Sequence, residues 1–372
     1  MKQALALKVL GEVMDWSNDL ARQEYAWLSL MSRLKFDNYR DFLAGVRFIE
    51  SLINWLQQFE PDERVIAYDF VRHTLVYIGP AEMQHLVDLA YHETVLKCLL
   101  SAVADHLDIP SYLVWSQPKA TETYDYFLRK SLFLGLSDGA KIDAFRRANV
   151  GRISNEQVVG MAQMSRLKWK DLLQDLRKSL SDDSARFLFI FLIDDFTASG
   201  TSLIRQEGEL WKGKLPKFWD EISNKVDGNQ PITETHFEEN WALYVHHYLA
   251  TEKASRVIQE RNQAILTLRG LNWFQRTVFT FGSILPSNLP ITDEQHEDFV
   301  KLVRKYYDPS VTTEHIDVGG SDGRFGFGDC RLPLVLEHNT PNNSIALLWA
   351  ETEGENGHPP MRPLFRRRQR HS

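Results

Sequence analysis

Cysteine is scarce in this chain: two among 372 residues, Cys98 and Cys330. Neither belongs to a Cys-x-x-Cys pair, so a disulfide framework and a cysteine-built zinc site are both excluded. The two thiols are expected to be buried in a reducing, cytoplasmic setting. Long apolar runs are missing as well. None approaches the roughly 18 residues that cross a bilayer, so no membrane association is expected. The first stretch is interrupted by Lys8 and Glu12 and reads as an amphipathic helix, not a signal peptide. Charge of one sign is not in excess. Lys and Arg number 43 against 50 Asp and Glu, a net −7, which gives no global argument for a nucleic-acid partner. His73, His85 and His92 fall in helical stretches, but no His-Glu-x-x-His spacing gathers them for zinc. Internal repeats and low-complexity tracts are absent too.

Apolar and aromatic residues, by contrast, are plentiful. They make up 43% and 12% of the chain, with ten Trp, enough to build a sizeable core in one large domain or two. Residues 1–115 read as an all-helical N-terminal domain. Phe42, Val46, Phe48, Ile49, Leu52, Ile53, Trp55 and Leu56 recur at helical spacing, and Pro61-Asp-Glu and Pro80-Ala-Glu look like helix starts. Residues 116–130 read as a linker and entry segment. Over residues 116–350, short apolar runs near 131–136, 187–193, 242–250, 275–281 and 332–337 alternate with helical stretches. That alternation predicts an α/β fold with a mainly parallel sheet flanked by helices. A long helical stretch is expected from 153 to about 181, opened by a capping box of Ser154 and Gln157. Residues 351–372 form a basic tail, which is a candidate for nucleic-acid contact.

One stretch organises the rest. Phe187 to Ile193 are seven uninterrupted apolar residues, followed by Asp194 and Asp195, then Phe196, Thr197, Ala198, Ser199, Gly200, Thr201 and Ser202. The apolar run predicts a strand buried on both faces, as in a parallel sheet. Ligands of such sheets bind beyond the carboxyl ends of the strands. Adjacent acids placed there can grip sugar hydroxyls. A small hydroxyl-rich loop opening a helix, here expected to run to about Trp211, can cradle a phosphate. His246 and His247 lie in the next predicted strand, where neighbours point to opposite faces, so they do not readily share one metal. They read as core or supporting residues.

The stretch resembles the phosphoribosyl-pyrophosphate (PRPP) motif of the type I phosphoribosyltransferases. Ile190 to Ile193 match the motif's four apolar residues, Asp194 and Asp195 its acids, and Ala198 to Ser202 its loop; the wording is closest to the orotate-type variant. Two positions depart from it. Thr197 stands where an aliphatic residue is usual, and Ala198 where the purine-salvage members carry a carboxylate that acts as base. The resemblance implies that Asp194 and Asp195 hold the ribose hydroxyls or a Mg²⁺ ion, and that Thr197, Ala198, Ser199, Gly200, Thr201 and Ser202 surround the 5-phosphate. It also implies a pyrophosphate-binding loop after the first strand of the sheet. Ser137, Asp138, Gly139, Ala140 and Lys141 are best placed for it, with Arg146 as a further charge. That segment is not an ATP-binding P-loop, because three residues rather than four separate Gly135 from Gly139 and Lys141 is followed by Ile142.

More widely, the chain is similar to bacterial phosphoribosyltransferase-like proteins with a helical N-terminal extension and an Asn-Thr-Pro-Asn-Asn loop, here Asn339 to Asn343. Those resemble components of anti-phage systems. Two functions follow from these likenesses. One is an enzyme that transfers or releases phosphoribose. The other is a non-catalytic sensor of PRPP or a nucleotide that signals to a protein partner, or a second copy, through its helical domain. Thr251, Glu252 and Lys253 are candidate base contacts. The loop 339–344 is a candidate for the same ligand edge, and the glycine-rich segment 318–328 for an active-site cover.

Overall fold

The fold is described from a computed structural model covering residues 3–225, 230–270, 273–274, 276–311, 323–354 and 357–367. By contact the chain divides into two compact units, Met1–Met83 with Ser287–Ser372, and Gln84–Pro286. This division differs from the expected boundaries at 115/116 and 350/351.

The terminal unit begins with helices α1 (Gln3–Met14), α2 (Asn18–Leu34), α3 (Phe48–Leu56) and α4 (Arg64–His73). Ser17 caps α2 by accepting the Leu20 amide at 3.3 Å, which satisfies one of the amides a helix start leaves open. A short strand, β1 (Val76–Ile78), follows, then α5 (Pro80–Ala90), in which the first unit gives way to the second.

The central unit continues with a π-helical turn at Tyr91–Val95, α6 (Leu96–Leu107), α7 (Pro118–Arg129), β2 (Ser131–Gly135) and α8 (Ile142–Ala148). The segment expected to be a linker is therefore helix α7, with Pro118 in its first turn and Ala120, Tyr124, Phe127 and Leu128 buried. Next come β3 (Val158–Gly160), α9 (Arg166–Leu180), β4 (Phe187–Thr197), the hairpin β5 (Arg205–Glu207) and β6 (Leu210–Lys212), and α10 (Lys214–Ser223). A short α11 (Ile232–Thr235), β7 (Phe237–Thr251), α12 (Glu252–Arg269) and β8 (Thr277–Leu285) complete the unit. The long helix expected over 153–181 is interrupted. The Ser154–Gln157 capping box is present, but it opens a single 3₁₀ turn that leads into β3.

Five of these strands form one sheet in the order β3-β2-β4-β7-β8, every neighbour pair parallel. One face carries Leu132, Leu134, Ile190, Leu192, Leu243 and Val245, packed with Trp169, Leu172, Phe218, Ile258 and Ile265 from α9, α10 and α12. The other carries Phe133, Phe191 and Tyr244 in a row of stacked rings, with Phe145 of α8 against Phe133. Both faces are thus covered, which is why the strands read as continuous apolar runs rather than alternating ones. From β2 the chain steps outward to β3, then passes back beyond β2 to β4 and on to β7 and β8. The direction of winding reverses between β2 and β4, and the crevice beyond their carboxyl ends is where sheets of this order bind ligands.

The chain then returns to the terminal unit with α13 (Glu297–Tyr306) and β9 (Leu334–Leu336). The apolar run at 332–337, expected in the main sheet, pairs instead with β1 in a separate two-stranded parallel sheet. The N-terminal region is thus mainly helical but contributes that one strand. Phe48, Leu52, Trp55 and Phe70 share a core with Phe299, Tyr306, Leu347 and Phe365. Phe70 stacks on Phe299 with ring centres 3.9 Å apart, and the Trp55 indole donates to the Leu347 carbonyl at 2.7 Å. The start of the expected tail is core: Met361, Leu364 and Phe365 are buried. Its residues 368–372 lie outside the described residues, as do 318–322 of the glycine-rich segment. The loop 339–344 is held within this unit. Thr340 bonds the Tyr39 hydroxyl at 3.0 Å, and Ser344 Oγ donates to the Leu334 carbonyl at 2.6 Å. Among the described residues no helix is long and apolar enough to cross a membrane.

Candidate functional site

Strand β4 does not stop at its apolar run. It stays paired with β7 as far as Thr197, with Asp194 opposite His247 and Thr197 opposite Ala250. Because successive side chains of a strand point to opposite faces, the two adjacent acids diverge. Asp194 is 2% exposed. One of its carboxylate oxygens accepts from the Ser137 hydroxyl and the other from the Lys214 ammonium. Burial holds its pKa above the usual range, opposed by the charge of Lys214 and reinforced by Asp195. Asp195 is only half-buried.

The two loops selected from the sequence meet here. A Cβ built on Gly139 would lie 2.5 Å from an Asp195 carboxylate oxygen, so only glycine lets the loop after β2 approach this closely. Ser137 reaches Asp194, the Leu136 amide donates to the Ile193 carbonyl at 2.8 Å, and Ala140 turns back to Ser137 at 3.1 Å. Asp138 is exposed and Ala140 buried. Lys141 closes the turn in the left-handed region at φ 51°, a conformation costing a non-glycine residue roughly 1 kcal/mol. Substituting Gly139→Ala is expected to push Asp195 aside while leaving the urea midpoint near that of the unaltered protein. The atom in the way is the end of a short side chain, so ligand affinity should suffer and the fold should not. A fall in urea midpoint as large as the fall in affinity would contradict this.

The second loop differs from expectation in one respect. Ser202 does not open a helix. The Leu203 and Ile204 amides both turn onto the Gly200 carbonyl, at 3.2 and 3.1 Å, making a single turn that runs straight into the β5–β6 hairpin. The hairpin forms because Gly208-Glu209 supplies a two-residue turn. The loop therefore opens no helix of its own, and any phosphate there must be met by its individual amides and hydroxyls and by nearby cations. Thr197, Ala198, Ser199 and Gly200 are buried, Thr201 is half-buried and Ser202 is exposed. Gly200 adopts φ +72°, and a Cβ there would meet Ile258 at 3.0 Å.

Three residues that support the loop were not singled out for this role by sequence reasoning. Arg261 of α12 donates to Thr201 Oγ1 at 3.3 Å and to the Ile204 carbonyl at 2.9 Å. Thr251, read from sequence as a base contact, caps α12 by accepting the Ala254 amide at 3.0 Å and donates to the Ala198 carbonyl at 2.6 Å. Lys214 stands at the first position of α10 and holds Asp194. Nothing local in the sequence distinguishes Lys214 or Arg261 from solvated bases. The threonine before Glu252-Lys253 is the one legible signal, as a helix cap. Truncating Arg261→Ala is expected to lower phosphate-ligand affinity several-fold with little change in Tm, by loosening the turn 200–204; equal affinity by calorimetry would contradict it.

His246 and His247 stand on opposite faces, as the strand period requires. His246 Nδ1 lies 3.2 Å from Thr94 Oγ1 in the π-helical turn and 3.0 Å from Thr280 Oγ1. Among the described residues no group of three or more His, Cys, Asp or Glu is gathered for a metal ion. The donor set still suits Mg²⁺, which commonly takes one or two carboxylates and fills its shell from water and a substrate's phosphates. Asp195, half-buried beside the 137–141 loop, is the carboxylate that would hold it. Two surface hollows of about 390 and 300 Å³, one lined by Lys97, Ser101, Asp105 and Ser111 and the other by Val150 to Asn155, contain none of these residues.

A parallel sheet of this winding order, with an acid pair and a small-residue loop at the reversal point, is consistent with a phosphoribosyltransferase-like domain. The model of the family described as PRTase-CE matches residues 52–367, and the chain belongs to that family. No curated protein and no solved structure matches the chain.

Proposed function

We propose that the chain binds PRPP, or the ribose-5-phosphate part of a nucleotide, together with Mg²⁺, and transfers or releases phosphoribose at the anomeric carbon. The observation that carries this is the meeting of the 137–141 and 194–202 loops at the reversal point of the sheet, where Gly139 lies against Asp195. In this reading Asp195 takes the ribose hydroxyls or the ion that accompanies the ligand. Ser199, Gly200, Thr201 and Ser202 take the 5-phosphate, and Ser137 to Lys141 lie on the pyrophosphate side. Bound Mg²⁺ would supply charge neutralisation of the pyrophosphate. Displacement at the anomeric carbon passes through a cationic state, so the protein's contribution is positioning and the stabilisation of a departing anion. Ala198 supplies no base, so a proton acceptor must come from the other substrate or from elsewhere in the chain.

The buried Ala198 and the engagement of Asp194 by Lys214 favour a second reading, in which the site senses PRPP or a nucleotide without turning it over and signals to a protein partner or a second copy. The likeness to anti-phage components supports placing either activity in a bacterial defence system. Titration of the purified chain with PRPP and Mg²⁺ tests the common ground. At ~100-fold the dissociation constant the ligand should stabilise the fold by about 2.7 kcal/mol, and Asp195→Asn should abolish the shift. Pyrophosphate–PRPP isotope exchange then separates enzyme from sensor. An unshifted Tm with PRPP, ribose-5-phosphate and nucleotides alike would sink both readings.

A further inference from the structure

Lys214 is joined to both loops of the site at once. Its backbone amide donates to the Ser202 carbonyl at 3.0 Å, and the next amide, Leu215, donates to the Leu203 carbonyl at 2.9 Å, so the start of α10 is laced to the end of the 197–204 loop. Its ammonium crosses to Asp194, and the other oxygen of that carboxylate holds the Ser137 hydroxyl of the 137–141 loop. Asp194 itself is buried in β4 with both carboxylate oxygens occupied. An ion pair of this kind is weak evidence for stability, because desolvation offsets the Coulomb attraction. Its better-attested use is to fix one arrangement of the groups around it.

We propose that Lys214 is a positioning residue: with Asp194 and Ser137 it forms a strut that holds the two ligand-binding loops in register, leaving Asp195 as the acid that meets ligand. The inference rests on the reading of the site as a phosphoribosyl site. It assigns the paired acids different jobs, one inside the strut and one at the ligand. Lys214 is about a third exposed, so its ammonium lies at the edge of the site. Direct contact with ligand phosphate is therefore the rival role that the experiment has to separate.

Hydrogen exchange on the ligand-free protein tests the strut. In Lys214→Met, exchange should rise both at the Ile204 amide beside α10 and at the Ala140 amide in the far loop. Lys214→Arg, which keeps the charge, should leave both protected. Lys214→Met combined with Asp194→Asn removes both charges but keeps an oxygen for Ser137, and should recover protection in both loops. Affinity for PRPP with Mg²⁺ should fall about tenfold or more in the single variant and return to within roughly threefold of the unaltered protein in the double one, a tenfold change being about 1.4 kcal/mol. Exchange that rises near α10 while Ala140 stays protected overturns the strut. Affinity that stays lost in a double variant with recovered protection also overturns it, and assigns Lys214 to the ligand. If the unaltered protein binds no PRPP, the functional reading fails, and the exchange result alone decides the strut.

Discussion

Lowering the pH from 7 to 5 is expected to remove about 4 kcal/mol from the stability of the sheet-bearing unit, through His246 and His247 alone. The two rings are 2% and 1% exposed. Burial depresses His246 from 6.5 to about 4. It depresses His247 to about 3, with the charges of Lys214 and His246 pushing the same way. The unfolded chain therefore takes up protons first as pH falls. Stability is fully present above about 6.5 and drains as pH drops toward the folded values of 4 and 3. From 6.5 to 5 each ring loses about 2 kcal/mol, at about 1.36 kcal/mol per pH unit. Asp194 works in the opposite sense. Its folded pKa is raised, so its contribution is present below the ordinary value of 3.8 and lost as pH rises through the folded one. It softens the acid loss without reversing it. The desolvated Nε2 of His246 and Nδ1 of His247 have no hydrogen-bond partner, so neither ring has a ready acceptor for an added proton. Urea midpoints across pH 5 to 8 check this, with His247→Leu expected to flatten the acid limb by about one proton's slope. Superimposable pH profiles for the variant and the unaltered protein would refute it.

Replacing Phe365 with alanine should cost the terminal unit about 3–5 kcal/mol, the range for emptying a buried aromatic site. Phe365 is fully buried. Its ring is surrounded by those of Phe36, Tyr39, Phe42, Phe48 and Tyr77, with centres 5.2 to 6.0 Å away. The backbone on either side is tied down too. Ser51 Oγ donates to the Leu364 carbonyl at 2.7 Å, the Tyr39 hydroxyl to the Arg366 carbonyl at 2.6 Å, and the Phe365 amide to the Leu348 carbonyl at 2.9 Å. Removing everything after Ala350 should be more severe, since Met361 and Leu364 leave the core with it. Loss of helical circular dichroism on truncation, with a lowered denaturant midpoint for Phe365→Ala, is the expected result. A truncated chain that keeps its helices and its midpoint would show that the segment is dispensable.

The central motif was legible because its signals are local. Seven consecutive apolar residues ending in two acids fit a doubly buried strand with polar groups at its tip, and β4 is that strand. The turn residues at 137–140 follow the same logic. The phosphate-side loop was misread where the signal was not local. Arg205 to Trp211 suit a helix until Gly208 is given its place in a hairpin. At 158–160 the strand is too short for periodicity to reveal. The run at 332–337 looks like a strand of the main sheet and is indeed extended, but which partner it takes depends on where the chain has already gone.

The sequence by itself determined the apolar strands β2, β4, β7 and β8, the acid pair at the tip of β4 and the small-residue turns that follow β2 and β4. These follow from patterns within a few residues of one another. The tertiary structure decided that residues past 350 complete the core of the first helices, and that adjacent acids face opposite ways. It also decided that Lys214 and Arg261, twenty and sixty residues from their partners Asp194 and Thr201, fix the two loops. Hydrophobic burial is non-directional, so apolar pattern specifies that a segment is covered without saying by what. A charge on a long side chain reads the same whether it ends in water or on a buried carboxylate.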